Sequence, residues 1–237
     1  MQEYRIASGT ASLLCREAGS GEPLILLHGN GEDGLYFRAQ FEPFSHFYRV
    51  IAVDSRGHGG STLGEEGLSI GRMAEDLLDV MDALGIERAH LLGFSDGGNI
   101  ALTFALRWPE RVDKLILNGA NVRMLEGVQP WVQFPLYPAY GLLCLLGRSD
   151  PEAAHRRDVL GLMVHSYGVT FSDLSRIEAE TLVITGEHDL IRTAETDRLA
   201  AALPRVRRET IAGCGHFCAA QAPARFSLAV LRFLRGK

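Results

Sequence analysis

The sequence predicts an α/β protein built on an open, mostly parallel sheet with helices on both faces. Six short apolar runs, rich in β-branched residues, recur along the chain at 23–27, 49–53, 90–93, 114–117, 181–185 and 207–211. Most are continuous rather than alternating, as expected of strands buried on both faces. Segments with helical spacing separate them, and this strand–helix rhythm is typical of βαβ crossovers.

The clearest helical segment begins near residue 70. Ile70, Met73 and Leu77 lie one turn apart on a shared apolar face, while acidic residues occupy the remaining positions. Ser69 is a suitable N-cap and Gly85 a suitable C-terminal stop. The spacing therefore predicts one amphipathic helix between these two residues.

Length and composition describe an ordinary globular protein. A chain of 237 residues fits a single α/β domain, and 46% hydrophobic with 22% charged residues is an average balance. The formal net charge of −5 provides no basic surface for nucleic acid or for an acidic membrane. We therefore expect a small-molecule partner, and the composition leaves monomer and homodimer open.

The spacing of the cysteines and the length of the apolar segments indicate the cellular compartment of the protein. Four widely spaced cysteines, in a chain too long to need disulfide staples, favour free thiols in a reducing compartment. Neither an apolar leader nor a run long enough to cross a membrane is recognisable in the sequence. These features predict a cytoplasmic protein without a membrane anchor.

One region, from residue 125 to residue 176, breaks the strand–helix rhythm. It is rich in Pro, Leu, Gly and aromatic residues and lies between two predicted strands. It is either an irregular part of the core or a helical cap over a site, with residues 1–124 and 177–237 forming the single catalytic core. Its aromatic residues Trp131, Phe134 and Tyr137 suggest an apolar substrate subsite, although packing is the common role of such residues.

The stretch GFSDGGNI, residues 93–100, places Ser95 between two glycines where a strand should pass into a helix. A tight turn there forces the serine into an unfavourable backbone conformation. Gly93 and Gly97 relieve the crowding because they lack a Cβ atom. The N-terminus of the following helix would stabilise negative charge near the serine hydroxyl. This GxSxG turn is an established hydrolase pattern, so Ser95 is the candidate nucleophile.

A serine nucleophile needs a base, usually a histidine oriented by a carboxylate. Asp189 follows the strand 181–185, and His216 follows the strand that ends near residue 211. Because the carboxyl ends of parallel strands meet at one edge, we expect both side chains near Ser95. Glu187 is an alternative acid, and the other possibility is that Asp189 and His216 are ordinary loop residues.

A glycine-rich turn, His28-Gly29-Asn30-Gly31, follows the first long strand. The backbone N–H groups of Asn30 and Asp96 would form an oxyanion hole, each donor contributing roughly 3 kcal/mol of transition-state stabilisation. His28 is expected to support the loop rather than to act as a second base.

Five motifs, LLHGNG (26–31), DSRGHGGS (54–61), GFSDGGN (93–99), TGEHD (185–189) and GCGHF (213–217), resemble those of the α/β-hydrolase superfamily over nearly the whole chain. The resemblance implies an eight-stranded, mainly parallel sheet with a helical cap after the sixth strand. It also implies hydrolysis through an acyl-enzyme, without a cofactor or a metal. Within DSRGHGGS, Asp54, Arg56 and His58 are expected to be structural.

Residue types narrow the chemistry within that superfamily. Ser95 stands where haloalkane dehalogenase-like and epoxide hydrolase-like members carry a nucleophilic aspartate. The HGxxPG loop of several carbon–carbon bond hydrolases is absent after His28. Carboxylic esters are the first expectation, with lactones, thioesters and amides as alternatives. A small-molecule receptor with little turnover is the alternative of a different class.

The residue after the nucleophile suggests a substrate class. GFSDGGN resembles the GWSDGG elbow of the valacyclovir hydrolase-like group, which acts on α-amino acid esters. Asp96 would then pair with a substrate ammonium group. Alternatively, it is a helix N-terminal acid that accepts hydrogen bonds from backbone N–H groups. The sequence leaves both interpretations open.

Overall fold

The computed structural model describes residues 1–236 and contains one eight-stranded sheet, which confirms the predicted α/β class. The strand order is β1-β2-β4-β3-β5-β6-β7-β8. All neighbours pair in parallel except β1 with β2 and β2 with β4. The strands are β1 Gln2–Ser8, β2 Ala11–Ala18, β3 Pro23–Leu27, β4 Arg49–Val53, β5 Ala89–Phe94, β6 Val112–Asn118, β7 Glu180–His188 and β8 Val206–Gly215.

Helices connect the parallel strands, and two more follow the last strand. They are α1 Arg38–Ser45, α2 Ile70–Ala83, α3 Asp96–Arg107, α4 Pro130–Leu146, α5 Pro151–Val164, α6 Thr193–Ala202, α7 Cys218–Gln221 and α8 Pro223–Leu234. In α2 the Ser69 side chain accepts a hydrogen bond from Arg72 N, and Gly85 has φ +64° just beyond the helix. Both predicted ends of this helix are confirmed, because each residue satisfies the backbone geometry of a helix terminus.

All six apolar runs are strands, but the first two strands of the sheet were not recognised as such from the pattern of residues. β1 alternates between exposed and partly buried positions and carries Gln, Glu and Arg. Such a strand lies at a sheet edge and lacks the continuous apolar run of a central strand. β1 and β2 pair along Gln2–Ser8 and Ala11–Ala18, so an antiparallel hairpin extends the parallel sheet.

Both faces of the sheet are buried, which explains the continuous apolar runs. Along β3, Ile25 and Leu27 pack into a core that includes α2 and α3. Leu24 and Leu26 pack into a second core, on the other face, that includes α1 and α8. Successive side chains of a strand point to opposite faces, so a strand between two cores has no polar positions.

Residues 125–176 form two helices, α4 and α5, between β6 and β7. The two helices pack against each other, and a short 3₁₀ turn at Asp173–Arg176 leads into β7. α4 begins with Pro130 and contains two further prolines, Pro135 and Pro138. Within residues 1–236 no helix has both the length and the apolar character needed to cross a membrane.

The register of the sheet places the first residues of several loops at one edge of the sheet. Leu27 pairs with Gly93, Phe94 with Asn118, and His188 with Gly215. The carboxyl ends of β3, β5, β6, β7 and β8 therefore lie side by side. This edge is where ligands bind in open α/β sheets.

Candidate active site

Ser95 occupies the turn between β5 and α3. Its backbone angles are φ 52° and ψ −118°, and it is the one residue other than glycine with positive φ within residues 1–236. Such a conformation costs on the order of 1–3 kcal/mol and persists where surrounding contacts enforce it. Ser95 N donates to Asn118 O at 2.8 Å, and Ser95 O accepts from the N–H groups of Gly98 and Asn99. The predicted strained turn is therefore present.

The two flanking glycines are required by contact with backbone atoms. A Cβ atom on Gly93 would overlap Gly97 O, and one on Gly97 would overlap Leu27 O. Backbone atoms cannot rotate away as a side-chain end can. The crowding expected around Ser95 is thus real, and it includes a close approach to β3 that the local sequence does not reveal.

Asp189 and His216 form the predicted pair. His216 Nδ1 donates to Asp189 Oδ1 at 2.6 Å, and both side chains are buried. Ile191 N also donates to Asp189 Oδ1, at 2.9 Å, and fixes the carboxylate. Glu187 is instead exposed and accepts from Gly213 N at 2.8 Å. The contacts therefore associate Asp189, and not Glu187, with the histidine.

The Ser95 hydroxyl makes no hydrogen bond to another residue in the described chain. In ligand-free enzymes the hydrogen bond between nucleophile and base is often long and tightens only when substrate binds. The structure thus places Ser95 and the Asp189–His216 pair on the same sheet edge. Their joint action as a triad remains a prediction.

The imidazole of His216 lies between aromatic rings and a glycine. Its centroid is 4.8 Å from that of Phe94 and 5.6 Å from that of Phe217. A Cβ atom on Gly119 would lie 2.7 Å from His216 Cε1. Gly119 has φ +62°. It is not among the site residues predicted from the sequence, although a glycine directly after a buried strand, at the ligand-binding edge, is a signal that could have identified it.

Asn30 lies in the turn after β3, where the oxyanion hole is predicted. Its backbone N–H makes no hydrogen bond within residues 1–236, and Asp96 N belongs to the first residue of α3, where no intrahelical acceptor exists. The Asn30 side chain donates to Asp96 Oδ2 at 2.9 Å and to Val159 O at 2.7 Å. The oxyanion role of the two N–H groups remains a prediction.

Asp96 is 5% exposed. Burial raises the pKa of its carboxyl group to about 6, against the opposing effects of the Asn30 hydrogen bond and of His216. Among the described residues its carboxylate accepts from the Asn30 side chain and from no backbone N–H. A second acid, Glu32, accepts from Gly29 N at 3.2 Å, and burial raises its pKa to about 7. Glu32 is not among the site residues predicted from the sequence.

Other motif residues hold the surrounding loops. His28 Nε2 accepts from Ser55 N at 2.9 Å, and burial lowers the pKa of His28 to about 4. Asp54 accepts from the N–H groups of Gly34 and Gly60. Arg56 is fully buried and donates to Asp76. These contacts agree with the structural roles expected for His28, Asp54 and Arg56.

The three aromatic residues expected to bind substrate face solvent to a large extent. Trp131 is 66% exposed, Phe134 85% and Tyr137 56%. Trp131 lines a cavity of about 460 Å³ together with Asp189. The exposure of Phe134 and Tyr137 gives no support to a role in a substrate pocket, and that role stays a prediction.

Potential metal ligands are scattered. No group of three or more His, Cys, Asp or Glu side chains within residues 1–236 is arranged to hold a metal ion. The four cysteines, Cys15, Cys144, Cys214 and Cys218, are free thiols.

Sequence comparison agrees with the class of protein that is defined by the fold, the strained serine and the acid–histidine pair. The sequence model described as the alpha/beta hydrolase fold matches residues 22–141. The chain belongs to the α/β-hydrolase family and is a hydrolase of that family. The predicted resemblance is confirmed.

Several particular members are similar to it. A putative carbamate hydrolase RutD of Caulobacter sp. (strain K31) is 30% identical, covering 97% of this chain and 98% of that protein. A 2-hydroxy-6-oxononadienedioate/2-hydroxy-6-oxononatrienedioate hydrolase of Burkholderia vietnamiensis is 33% identical over 92% of this chain and 89% of its own length. The structure of Est816, described as an N-acyl homoserine lactone degrading enzyme, superposes with a TM-score of 0.80 at 28% identity, covering 98% of this chain and 99% of that one.

These relatives carry different substrates in their names. Carbamates, oxo-dienedioates and lactones are all represented. Membership of the family therefore leaves the bond that this chain hydrolyses undetermined. Only the residues of the site can indicate which bond is cleaved.

Proposed function

We propose that this protein is a serine hydrolase that cleaves small carboxylic esters through an acyl-enzyme intermediate. The observation that carries the proposal is the strained Ser95, placed on the same sheet edge as an Asp189–His216 pair joined at 2.6 Å. A serine held in this conformation at the start of a helix is the established geometry of an activated nucleophile.

The reaction follows from these groups. Ser95 Oγ attacks the ester carbonyl while His216 Nε2 takes the hydroxyl proton, and Asp189 stabilises the resulting imidazolium. The N–H groups of Asn30 and Asp96 stabilise the oxyanion. Collapse expels the alcohol, which receives the proton from His216. A water molecule then attacks the acyl-enzyme with His216 as base, and this releases the acid and restores Ser95.

Carboxylic esters are the first choice among the possible bonds. The loop after β3 reads HGNGED rather than HGxxPG, which remains the argument against carbon–carbon bond cleavage. The lactone and carbamate substrates named for similar proteins support including lactones and carbamates, beside thioesters and amides, in a substrate panel. The kcat/KM values across that panel, at equal acyl size, decide between the bonds.

We also propose that Asp96 recognises the ammonium group of α-amino acid esters. The carboxylate is buried beside the nucleophile and is held by one side-chain amide rather than by helix N–H groups. Burial raises its pKa to about 6, so it becomes negatively charged as the pH rises through that value. A substrate α-amino group stays protonated up to a pH of about 8. The preference for amino over des-amino esters should therefore be greatest between these two values.

The recognition test compares a phenylalanine ester with its des-amino analogue. Wild type should prefer the amino ester at pH 7, and Asp96→Asn should remove that preference while it leaves the des-amino substrate less affected. An equal loss on both substrates would show that Asp96 supports the elbow rather than the substrate.

A fluorophosphonate tests the serine mechanism directly. Intact-protein mass should show one adduct on wild type and none on Ser95→Ala or His216→Ala. A folded wild type that forms no adduct would contradict the proposal. It would favour the small-molecule receptor, for which ligand binding should survive Ser95→Ala.

The helices α4 and α5 are proposed to be the cap of this hydrolase, spanning residues 125–176. The supporting observation is that Val159 O, in α5, accepts a hydrogen bond from the Asn30 side chain at 2.7 Å, beside the nucleophile elbow.

We also propose that the protein works in a reducing, cytoplasmic environment, which its free thiols support.

A further inference from the structure

The exposed side of α4 is apolar along the whole helix. With about 3.6 residues per turn, all exposed residues of α4 fall within an arc of about 200°, and none of them is charged. The one side-chain amide of the helix, Gln133, lies outside this arc and donates to Val128 O. We call the arc the outer face of α4. Its large side chains are Trp131, Phe134, Tyr137, Leu142, Leu145 and Leu146.

The outer face is larger than the apolar patches that monomers usually expose. Phe134 is 85% exposed, Trp131 66% and Leu145 61%. An aromatic side chain buries roughly 150–250 Å², so the three aromatic residues and the three leucines together expose on the order of 700 Å². The largest apolar patch of a typical monomer covers about 300–600 Å². One partner of a stable protein–protein interface buries about 800 Å², which is close to the size of the outer face.

The outer face is also complementary to itself. Pro138 is the central residue of α4, with the aromatic residues of the outer face before it and the leucines after it. The series 131, 134, 138, 142, 145 has the same spacing when it is read in either direction. A two-fold axis through Pro138 therefore places Phe134 opposite Leu142 and Trp131 opposite Leu145 of a second, antiparallel helix. Aromatic residues without nearby charges are typical of the core of a protein interface.

The charges beside the outer face favour a protein partner over a lipid surface. Helices that lie on membranes are rich in Lys and Arg on their polar side. Beyond the end of α4 the exposed charges have both signs, at Arg148, Asp150, Glu152 and Arg156. The whole chain has a net charge of −5. An apolar centre with a rim of mixed charge is the usual arrangement of an interface between proteins.

We propose that the outer face of α4 is the interface of a homodimer, in which two copies of this chain pack their α4 helices antiparallel about Pro138. The burial of the exposed aromatic and leucine side chains against each other stabilises the pair. Because α4 belongs to the segment 125–176, the dimer joins the two helical segments and leaves the sheets apart. The inference goes beyond the proposed function, since it concerns association and not catalysis.

Sedimentation velocity measures the association. At about 50 µM, wild type should have twice the molar mass of one chain. Phe134→Glu should halve this mass, because its carboxylate would be buried against a leucine, and Leu142→Lys should do the same. The double variant that combines both substitutions should recover the dimer. Opposite charges then face each other twice across the two-fold axis.

Leu228→Glu is the matched control. Leu228 is 49% exposed on α8, outside the segment 125–176, so its substitution should leave the dimer intact. Phe134 and Leu142 are themselves exposed, so both single variants should fold, and circular dichroism verifies this. Leu145→Glu changes another point of the outer face and replaces either variant if it fails to fold.

Four results would overturn the proposal. A monomeric wild type shows that no second copy covers the outer face. A dimer that persists in both single variants places the interface elsewhere on the protein. A double variant that stays monomeric contradicts the antiparallel arrangement about Pro138. Binding of monomeric wild type to phosphatidylcholine vesicles, lost in Phe134→Glu, shows that a lipid surface covers the face instead.

Discussion

Asn30 and Asp96, which follow different strands, are joined by a 2.9 Å hydrogen bond from the Asn30 side chain to Asp96 Oδ2. The same side-chain nitrogen donates to Val159 O in α5 at 2.7 Å. One amide thus connects the turn after β3, the nucleophile elbow and the helical segment above them. The bond also lowers the energy of the ionised form of a buried acid, because an amide N–H stabilises a carboxylate.

Replacing Asn30 with Ala should weaken both connections while the backbone N–H is kept. We expect kcat/KM to fall about 10- to 100-fold, since one hydrogen bond to a charged group and one to a backbone carbonyl are lost. Limited proteolysis should cut residues 125–176 faster than in wild type. Gln133→Ala removes a comparable side-chain bond, to Val128 O within the same segment, and should leave kcat/KM unchanged. Equal activity of Asn30→Ala and wild type would contradict a positioning role.

The raised pKa of Asp96 predicts a pH-dependent stability. An unfolded aspartate has a pKa near 3.8, and the folded one lies at about 6. Between these values the folded protein binds more protons, so the free energy of unfolding of wild type decreases as the pH rises. Asp96→Asn has no carboxyl group at this position, so it should not show this decrease in the free energy of unfolding. Its stability relative to wild type should therefore increase by up to about 3 kcal/mol between pH 4 and pH 7.

Urea unfolding of both proteins at pH 4, 5, 6 and 7 measures this difference. The Asn side chain can still accept from Asn30, so the substitution changes the charge with little change of shape. A difference that stays constant over the pH range would show that the folded and unfolded carboxyl groups titrate alike.

Gly119→Ala should impair catalysis more than stability. The new Cβ atom would lie 2.7 Å from His216 Cε1 and displace the imidazole. Gly85 has nearly the same φ, +64° against +62°, but a Cβ atom there meets nothing within 4 Å. Both alanine variants should lose about 1 kcal/mol to backbone strain. Only Gly119→Ala should lose tenfold or more in kcat, and similar kcat values for the two variants would refute this role.

Substitution distinguishes which of the two candidate acids, Asp189 or Glu187, assists His216. Asp189→Asn should reduce kcat roughly a thousand-fold or more, because the imidazolium formed during catalysis loses its partner. Glu187→Gln should keep kcat within about twofold, since Glu187 is exposed and bonds Gly213 N instead. Steady-state kinetics on one ester gives both values, and a large loss in Glu187→Gln would reverse the assignment.

Much of this architecture was predictable from local pattern. The central strands were visible as continuous apolar runs because both of their faces are buried, and α2 was visible from its period and its caps. The β1 edge strand escaped detection, since its exposed positions carry polar residues. Gly119 and Glu32 escaped because both act on His216, which is far away from them in the sequence.

The sequence by itself determined the α/β class and the strained turn at Ser95, because each depends on residues close together in the chain. Only the tertiary structure decided that Asp189 rather than Glu187 meets His216 and that Asn30 bonds Asp96. It alone also shows that His58 Nε2 is buried without a hydrogen-bond partner among residues 1–236. Those contacts depend on strand register and on the packing of α5, which place residues that are distant in sequence within hydrogen-bond range.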